Sequence, residues 1–529
     1  MIFTLKIYFD TIRHLKLSQL FWQLRYKIRA KQFLKNKYFN NLYDEFESLS
    51  FVNTEILYKK NLLIEPLIFK FLNLEKKFVE KINWNFSEYG KLWNYNLEYF
   101  DYLHQQDISI EERIKLINDF YNYSLLNKRT LEPYPVSLRS INIIKFSIRD
   151  GILDKRILNF VYQELSFLDK NYEFQILGNH LLENAFALSL GGAFFKREDW
   201  LNKGIRILYK ELKEQILEDG AHFELSPMYH QIILFRVLEL IDWYQNYGDK
   251  DANFLSFFRD IASKMRSWAG NIQFANGDIP LFNDSAKGIA YDIVTLNDYA
   301  NILGIESKNL PLGQSGYRSF LNSNYEIKID LAQIGASYQP GHAHADALSF
   351  ILYSQELPLI VEQGTSTYQI GKRRNLERST EAHNTIVLNG RDQSEVWGGF
   401  RVGKRAKTTI HYEGQNGYTG SHNGYKNLGI IHTRSFIFEE AKIQITDTLS
   451  QNGNAKAYVH LHPDRRLSKI NDKRFIIDDM VTIDFDGAET IVSDNYEYAD
   501  SYNQYRPAIR FVISFERELS TTIFFKHSR

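Results

Sequence analysis

Three short clusters in this chain carry groups able to move protons or hold an anion: Asn179-His180, Tyr229-His230, and Pro340-Gly341-His342-Ala343-His344-Ala345-Asp346. The first two lie in helix-like sequence and the third opens a strand-rich half. Asn179 and His180 follow Gly178 at an expected helix start, where side chains and free N–H groups converge on an anion. Tyr229 and His230 follow the loop Asp219-Gly-Ala-His-Phe-Glu-Leu-Ser-Pro227, which runs into a helix continuing through Ile232 and Phe235. Either pair alone is compatible with a structural role. Two such pairs and a His-x-His in one chain point to chemistry. A site built from both halves would lie in an interdomain crevice, a common place to bind substrate.

Length and composition bound what must position these groups. With 529 residues, 44% hydrophobic and 24% charged, two large domains are expected, each with ample core. Aromatic content is high, with 33 Tyr and 38 Phe, so rings are available both for core and for lining a sugar-binding cleft. The formal net charge is zero, which provides no global field for nucleic acid. No cysteine is present, so disulfide and thiolate chemistry are excluded.

From about Leu74 to Gly304 the apolar spacing is helical, for example over Ile110 to Leu126, Arg156 to Leu168, Leu181 to Phe195, Trp200 to Gln215 and Ile232 to Tyr247. Consecutive helices of similar length suggest hairpins arranged as a solenoid or toroid. After Pro311-Leu-Gly-Gln-Ser-Gly the pattern changes to strands, over Tyr325 to Leu331, Leu348 to Val361, Lys442 to Leu449, Ala457 to His462, Arg474 to Asp478 and Ile509 to Phe515. Gly/Asn/Asp turns between them read as an antiparallel sandwich. The expected domains are a basic helical arm over 1–75, a helical domain over 76–310 and a sheet domain over 315–529.

The first 40 residues carry nine Lys or Arg against one acid, Asp10, and Leu17, Leu20, Phe21, Leu24 and Ile28 follow helical spacing. Such a helix either lies on an anionic membrane or packs on the domain behind it. Packing is the preferred expectation, with peripheral membrane association as the alternative. Lys6, Asp10, Arg13 and Lys16 interrupt the N-terminus, so no cleavable signal peptide is expected.

From Trp93 onward the chain resembles the heparinase II/III-like polysaccharide lyases, a family that includes relatives acting on alginate. The resemblance rests on Leu92-Trp-Asn-Tyr-Asn-Leu-Glu-Tyr-Phe-Asp-Tyr102, Pro133-Tyr-Pro-Val-Ser-Leu-Arg139, Gly178-Asn-His-Leu-Leu-Glu-Asn184, Asp219 to His230, Pro280-Leu-Phe-Asn-Asp284, Gly341 to Phe350 and Arg378-Ser-Thr-Glu-Ala-His-Asn-Thr385. It implies an α+β multidomain fold, an incomplete (α/α) toroid followed by an antiparallel β-sandwich. It also implies β-elimination at a uronic acid of an anionic polysaccharide.

In that reaction a base removes the C5 proton, an acid protonates the leaving O4, and something neutralises the neighbouring carboxylate. The resemblance assigns neutralisation to Asn179 and His180, and proton transfer to Tyr229 and His342. Arg139 would face substrate, with His230 beside it, and both are candidates for lowering the Tyr229 pKa from its ordinary value near ~10. Arg374 and Arg378, in the basic run that begins at Lys372, are candidates for binding carboxylates or sulfates. His344, Glu362 (where the family usually has Asp) and His383 would hold a structural zinc ion.

Three alternatives stand beside the lyase. A uronyl C5-epimerase would form the same carbanion, a binding protein would need none of the catalytic groups, and hydrolysis would use two acids such as Asp278 and Asp284. Members of the family are typically periplasmic or secreted, whereas the N-terminus leads to an expectation of a cytoplasmic or inner-membrane-associated protein in capsule or exopolysaccharide synthesis.

Overall fold

The computed structural model describes residues 2–37, 46–47, 49–51 and 62–526. Two N-terminal helices, α1 (Ile2–Ile12) and α2 (Leu17–Ile28), precede a three-stranded antiparallel meander of β1 (Leu63–Glu65), β2 (Ile68–Phe71) and β3 (Leu74–Lys77). The meander departs from the helical arm expected up to residue 75. Phe69 and Phe71 alternate inward around the more exposed Lys70, a period of two that only a strand satisfies.

The helical domain follows as α3 (Lys91–Tyr99), α4 (Ile110–Leu126), α5 (Pro133–Asp150), α6 (Lys155–Leu168), α7 (Gly178–Phe194), α8 (Glu198–Gln215), α9 (Pro227–Gln245), α10 (Ala252–Ile272) and α11 (Ile293–Ile302). Several ends have evident causes. The Ser109 hydroxyl accepts from Glu112 N to start α4, and Asp154 caps α6 through Ile157 N. Gly151, at φ +65°, supplies the left-handed residue that stops α5. The helices bury one continuous core that includes Trp84, Trp93, Trp200 and Phe258.

Strands take over at β4 (Tyr317–Leu321), β5 (Tyr325–Asp330), β6 (Phe350–Ser354) and β7 (Leu357–Ile360), which form one antiparallel sheet in that order. The apolar run from Leu348 to Val361 is therefore a hairpin. It turns at Gln355-Glu356, both at positive φ. A short helix, α12 (Lys372–Arg378), and β8 (Ile386–Leu388) come next. β8 lies at the edge of a second four-stranded sheet with Ala455–His460, Arg506–Phe515 and Thr490–Tyr498. An eight-stranded antiparallel sheet, from Thr408–Gly414 at one edge to Leu467–Lys469 at the other, completes this half. Residues of all three sheets, among them Ile327, Ile386, Phe436 and Phe511, share one core.

The two halves are locked together around the linker. Asp219, in the loop before α9, accepts hydrogen bonds from Gly313 N and from both the backbone and hydroxyl of Ser315, at 2.9, 3.0 and 2.6 Å. A small apolar cluster then joins Leu225, Trp268 and Phe274 to Tyr317, Ile351 and Tyr353. These contacts fix the spacing of groups contributed by opposite halves.

Candidate active site

Two helix starts are arranged for display. Gly178 opens α7 at φ +56°, and a Cβ there would come within 2.2 Å of Glu224 Oε1. That space lets the Glu224 carboxylate accept from Asn179 N at 3.1 Å and from Asn179 Nδ2 at 2.9 Å. An ionised acid at a helix N-terminus satisfies free N–H groups and complements the dipole. At α9 the Ser226 hydroxyl accepts from Tyr229 N at 3.2 Å and donates to Asp284 O at 2.7 Å. With Pro227 in the first turn, this cap sets Tyr229 at the mouth of the helix and ties it to the 283–285 loop.

Asn179, His180, Tyr229 and His342 all line one cavity of about 1120 Å³ between the halves. Its walls also carry Tyr95, Tyr99, Tyr134, Tyr338, Tyr368 and Tyr502. The volume exceeds that of a typical small-molecule pocket and suits several sugar rings. The Tyr229 and His342 rings stack with centroids 3.8 Å apart and planes 28° apart. Tyr368 donates its hydroxyl hydrogen to Tyr229 Oη at 3.3 Å.

His342 Nδ1 lies 2.9 Å from Asp284 Oδ2, and Nε2 lies 3.4 Å from Asn179 Nδ2. An amide nitrogen can only donate, so in the neutral ring this geometry suits the tautomer in which Nδ1–H donates to Asp284 and Nε2 accepts from Asn179. Burial would raise the Asp284 carboxyl, but Arg374, His342 and His344 hold it well below the usual carboxylate range. Burial would likewise raise Glu224, yet His222, His342 and the Asn179 hydrogen bonds bring it below its ordinary value. Burial pushes the Tyr229 phenol up, only partly offset by the Tyr368 hydrogen bond, so it is held protonated. For His180 burial lowers the pKa, but Glu173, 3.1 Å from Nδ1, outweighs it and leaves the imidazole above its ordinary value.

Four residues expected to face substrate sit elsewhere. Arg139 lies outside the cavity wall and is buried against Glu164, with Nη2 to Oε1 at 2.5 Å. The face of α5 that reaches the cavity is instead Tyr134, Leu138, Asn142 and Lys145, residues about one helical turn apart. His230, one residue on from Tyr229, is buried and does not line the cavity. Its Nε2 donates to Met265 O at 2.9 Å, its Nδ1 accepts from His222 N, and burial lowers its pKa to about 3. Neither Arg139 nor His230 therefore lowers the Tyr229 pKa.

Arg374 is buried with its fork on Asp284, at 2.6 Å from Nη2 to Oδ2, and its Nε donates to Gly399 O at 3.0 Å. Arg378 is buried too, donating to Ala343 O at 2.9 Å from Nη2. The basic run divides by helical face. Arg373, the residue just before Arg374, pairs with Glu377 and Glu497, whereas Arg374 and Arg378 point inward to hold the histidine loop.

Behind the cavity wall, His344 Nε2 lies 2.8 Å from Asp284 Oδ1, while His383 Nδ1 pairs with Glu362 Oε2. The opposite nitrogens, His344 Nδ1 and His383 Nε2, are buried without a hydrogen-bond partner, as is Asp346 Oδ2. Donor atoms of these three residues converge within 4.8 Å of one another. Buried polar atoms are seldom left orphaned, and two imidazoles with one carboxylate form a donor set that suits zinc. The residues present thus fit the ion, but with Asp346 in the place expected for Glu362. Glu362 lies on the other side of His383, where it orients the ring as an outer partner does.

Glu224 and Tyr368 were not anticipated as site residues, and Asp284 was weighed only as a hydrolytic acid. Asp284 and Glu224 stand inside the motifs quoted above, but which atoms they hold depends on long-range packing. Asp284, considered as a hydrolytic acid, is sealed under Arg374, and Asp278 is paired with Lys287.

Two family models match the chain, the Heparinase II/III N-terminus over residues 145–309 and the Heparinase II/III-like C-terminal domain over 307–525. A heparin-sulfate lyase of Bacteroides stercoris is 25% identical over 313 residues, covering 54% of this chain and 45% of its own. A heparin-sulfate lyase of Pedobacter heparinus is 25% identical over 320 residues, covering 54% of this chain and 46% of its own. The chain thus spans about half the length of these curated relatives. A crystal structure of heparinase III superposes with a TM-score of 0.68 at 16% identity, covering 96% of this chain and 90% of that one, a likeness of fold. With both domain models matched in order and the helix-then-sheet fold shared, this chain belongs to the heparinase II/III family.

Proposed function

We propose that the cavity carries out β-elimination on a uronic-acid-containing anionic polysaccharide, with His342 as base and Tyr229 as acid. The observation that carries this reading is the stacked pair: an imidazole whose Nε2 is held only by a long 3.4 Å contact from Asn179 Nδ2, beside a phenol that burial keeps protonated. His342 Nε2 takes the C5 proton, and its Nδ1–H bond to ionised Asp284 stabilises the imidazolium that forms. The electron pair moves to form the C4–C5 double bond as the C4–O4 bond breaks. Tyr229 delivers its proton to O4.

The uronate carboxylate opposes carbanion formation unless its charge is met. The Asn179 amide and a protonated His180, neighbours at the α7 N-terminus, supply that. The Asn179 donor is worth on the order of 10²–10³ in rate, whereas the more exposed His180 adds positive charge that chiefly favours binding. In this reading the helical half is the incomplete (α/α) toroid and the sheets form the β-sandwich, each contributing one proton-transfer group. A zinc ion held by His344, Asp346 and His383 would brace the loop that presents His342, with no role in proton transfer.

A panel of uronate polysaccharides, followed by near-ultraviolet absorbance in deuterated buffer, tests the proposal. Unsaturated chain ends are the expected product. Deuterium at C5 without unsaturation would identify an epimerase, and saturated reducing ends would identify hydrolysis.

A further inference from the structure

α2 is mounted with its apolar side outward. Leu17, Phe21, Leu24 and Ile28 repeat at helical spacing and are 84, 60, 63 and 78% exposed. The face turned to the body is instead polar or amphipathic. Gln19 is buried with its amide 3.4 Å from Ile176 O and Tyr338 O, and Tyr26 donates its hydroxyl hydrogen to Tyr172 O. A helix held only by its core would place the leucines inside and the glutamines out. On α1, Phe9 and Ile12 are also exposed, at 67 and 46%.

Charge frames this stripe. At about 100° per residue, Arg25 and Lys27 fall roughly 70–90° to either side of its centre. Both are exposed, and among the described residues neither forms an ion pair with an acid. Lys31 extends the same surface. The helix is anchored from behind by Lys16 on Glu214 at 2.5 Å and by Arg29 on Lys170 O at 2.8 Å, so the stripe is presented rigidly. α1 binds the other half, where Trp397 Nε1 donates to Thr11 Oγ1 at 3.1 Å.

We propose that α1–α2 is a docking surface for an anionic lipid bilayer. The apolar stripe would enter the acyl–headgroup boundary while Arg25, Lys27 and Lys31 meet lipid phosphates. The inner side of the same pair supplies Thr11, Leu15, Gln19 and Gln23 to the cavity wall. Docking therefore sets the cavity one helix diameter, roughly 10 Å, from the membrane plane. The inference is independent of which reaction the cavity performs.

The test is sedimentation of the full chain with vesicles of phosphatidylcholine alone or of equal parts phosphatidylcholine and phosphatidylglycerol. Wild type should partition onto the anionic vesicles only, and added salt should weaken it. The Phe21→Ser/Leu24→Ser double variant should bind about tenfold less or weaker, and Arg25→Glu/Lys27→Glu should also lose binding. These side chains are exposed, so thermal melting and substrate turnover should be unchanged. Wild type remaining in the supernatant with both vesicles would overturn the proposal. So would a wild-type dimer that Phe21→Ser/Leu24→Ser converts to monomer, since a second copy would then be what covers the stripe.

Discussion

Two histidine–carboxylate clusters lie back to back, and Asp284 touches both. In one, His342 faces the cavity with Nδ1 bound and Nε2 positioned beside Tyr229. In the other, His344 and His383 are sealed behind the wall, each with one ring nitrogen bound and the other converging on Asp346. The residue types are nearly the same. What separates the two clusters is where the second ring nitrogen points, toward a cavity lined by a phenol and the Asn179 amide or into a closed space with a carboxylate.

The largest effect should come from a change that strikes both clusters. Asp284→Asn removes the charge that Arg374, His342 and His344 share, and breaking a buried ion pair costs roughly 3–5 kcal/mol. Denaturant unfolding should show this loss and turnover should collapse with it. An Asn variant that matched wild type in both would mean the two clusters are independent.

Tyr229→Phe should strike the cavity cluster alone. It deletes one hydroxyl and keeps the ring stacked on His342, so turnover should fall ~10²–10⁴-fold with little change in melting temperature. His383→Ala should do the reverse. Elemental analysis should lose about one zinc per chain, the melting temperature should drop by roughly 5 °C or more, and the chemical step should suffer far less than in Tyr229→Phe. Glu362→Asp should keep the metal, because the acid orients His383 from outside.

The smallest effect belongs to His180, at the edge of the cavity. Its pKa is raised because Glu173 outweighs burial, so the imidazolium–Glu173 pairing is complete below the ordinary value of 6.5 and is lost as pH rises through the higher folded value. KM for an anionic oligosaccharide should rise roughly threefold across that alkaline transition. His180→Gln should flatten the profile, measured as initial rates across pH.

Much of the fold was legible because local periodicity and tertiary burial agree. Ile110–Leu126 and Lys442–Leu449 run as their spacing predicts. The meander over 63–77 escaped because three strands of three or four residues are too short to show a period, and its turns fall at Pro66-Leu67 and Leu72-Asn73. The cavity residues Asn179, His180, Tyr229 and His342 were legible as motif positions. The arginines were not, because type and charge do not reveal a partner. Arg139 and Arg374 are bound by Glu164 and Asp284, acids 25 and 90 positions distant. Spacing likewise selected Glu362 over Asp346, since whether an acid reaches the open side of His383 or its bound side depends on how two loops meet.

The division of labour between His342 and Tyr229 is tested most directly by C5–H exchange with solvent deuterium in Tyr229→Phe and His342→Gln, using a polymer that wild type cleaves. If His342 is the base, Tyr229→Phe still exchanges the C5 proton while failing to release unsaturated ends, and His342→Gln does neither. Exchange abolished in Tyr229→Phe, with His342→Gln still eliminating, would contradict the assignment and make the tyrosine the base.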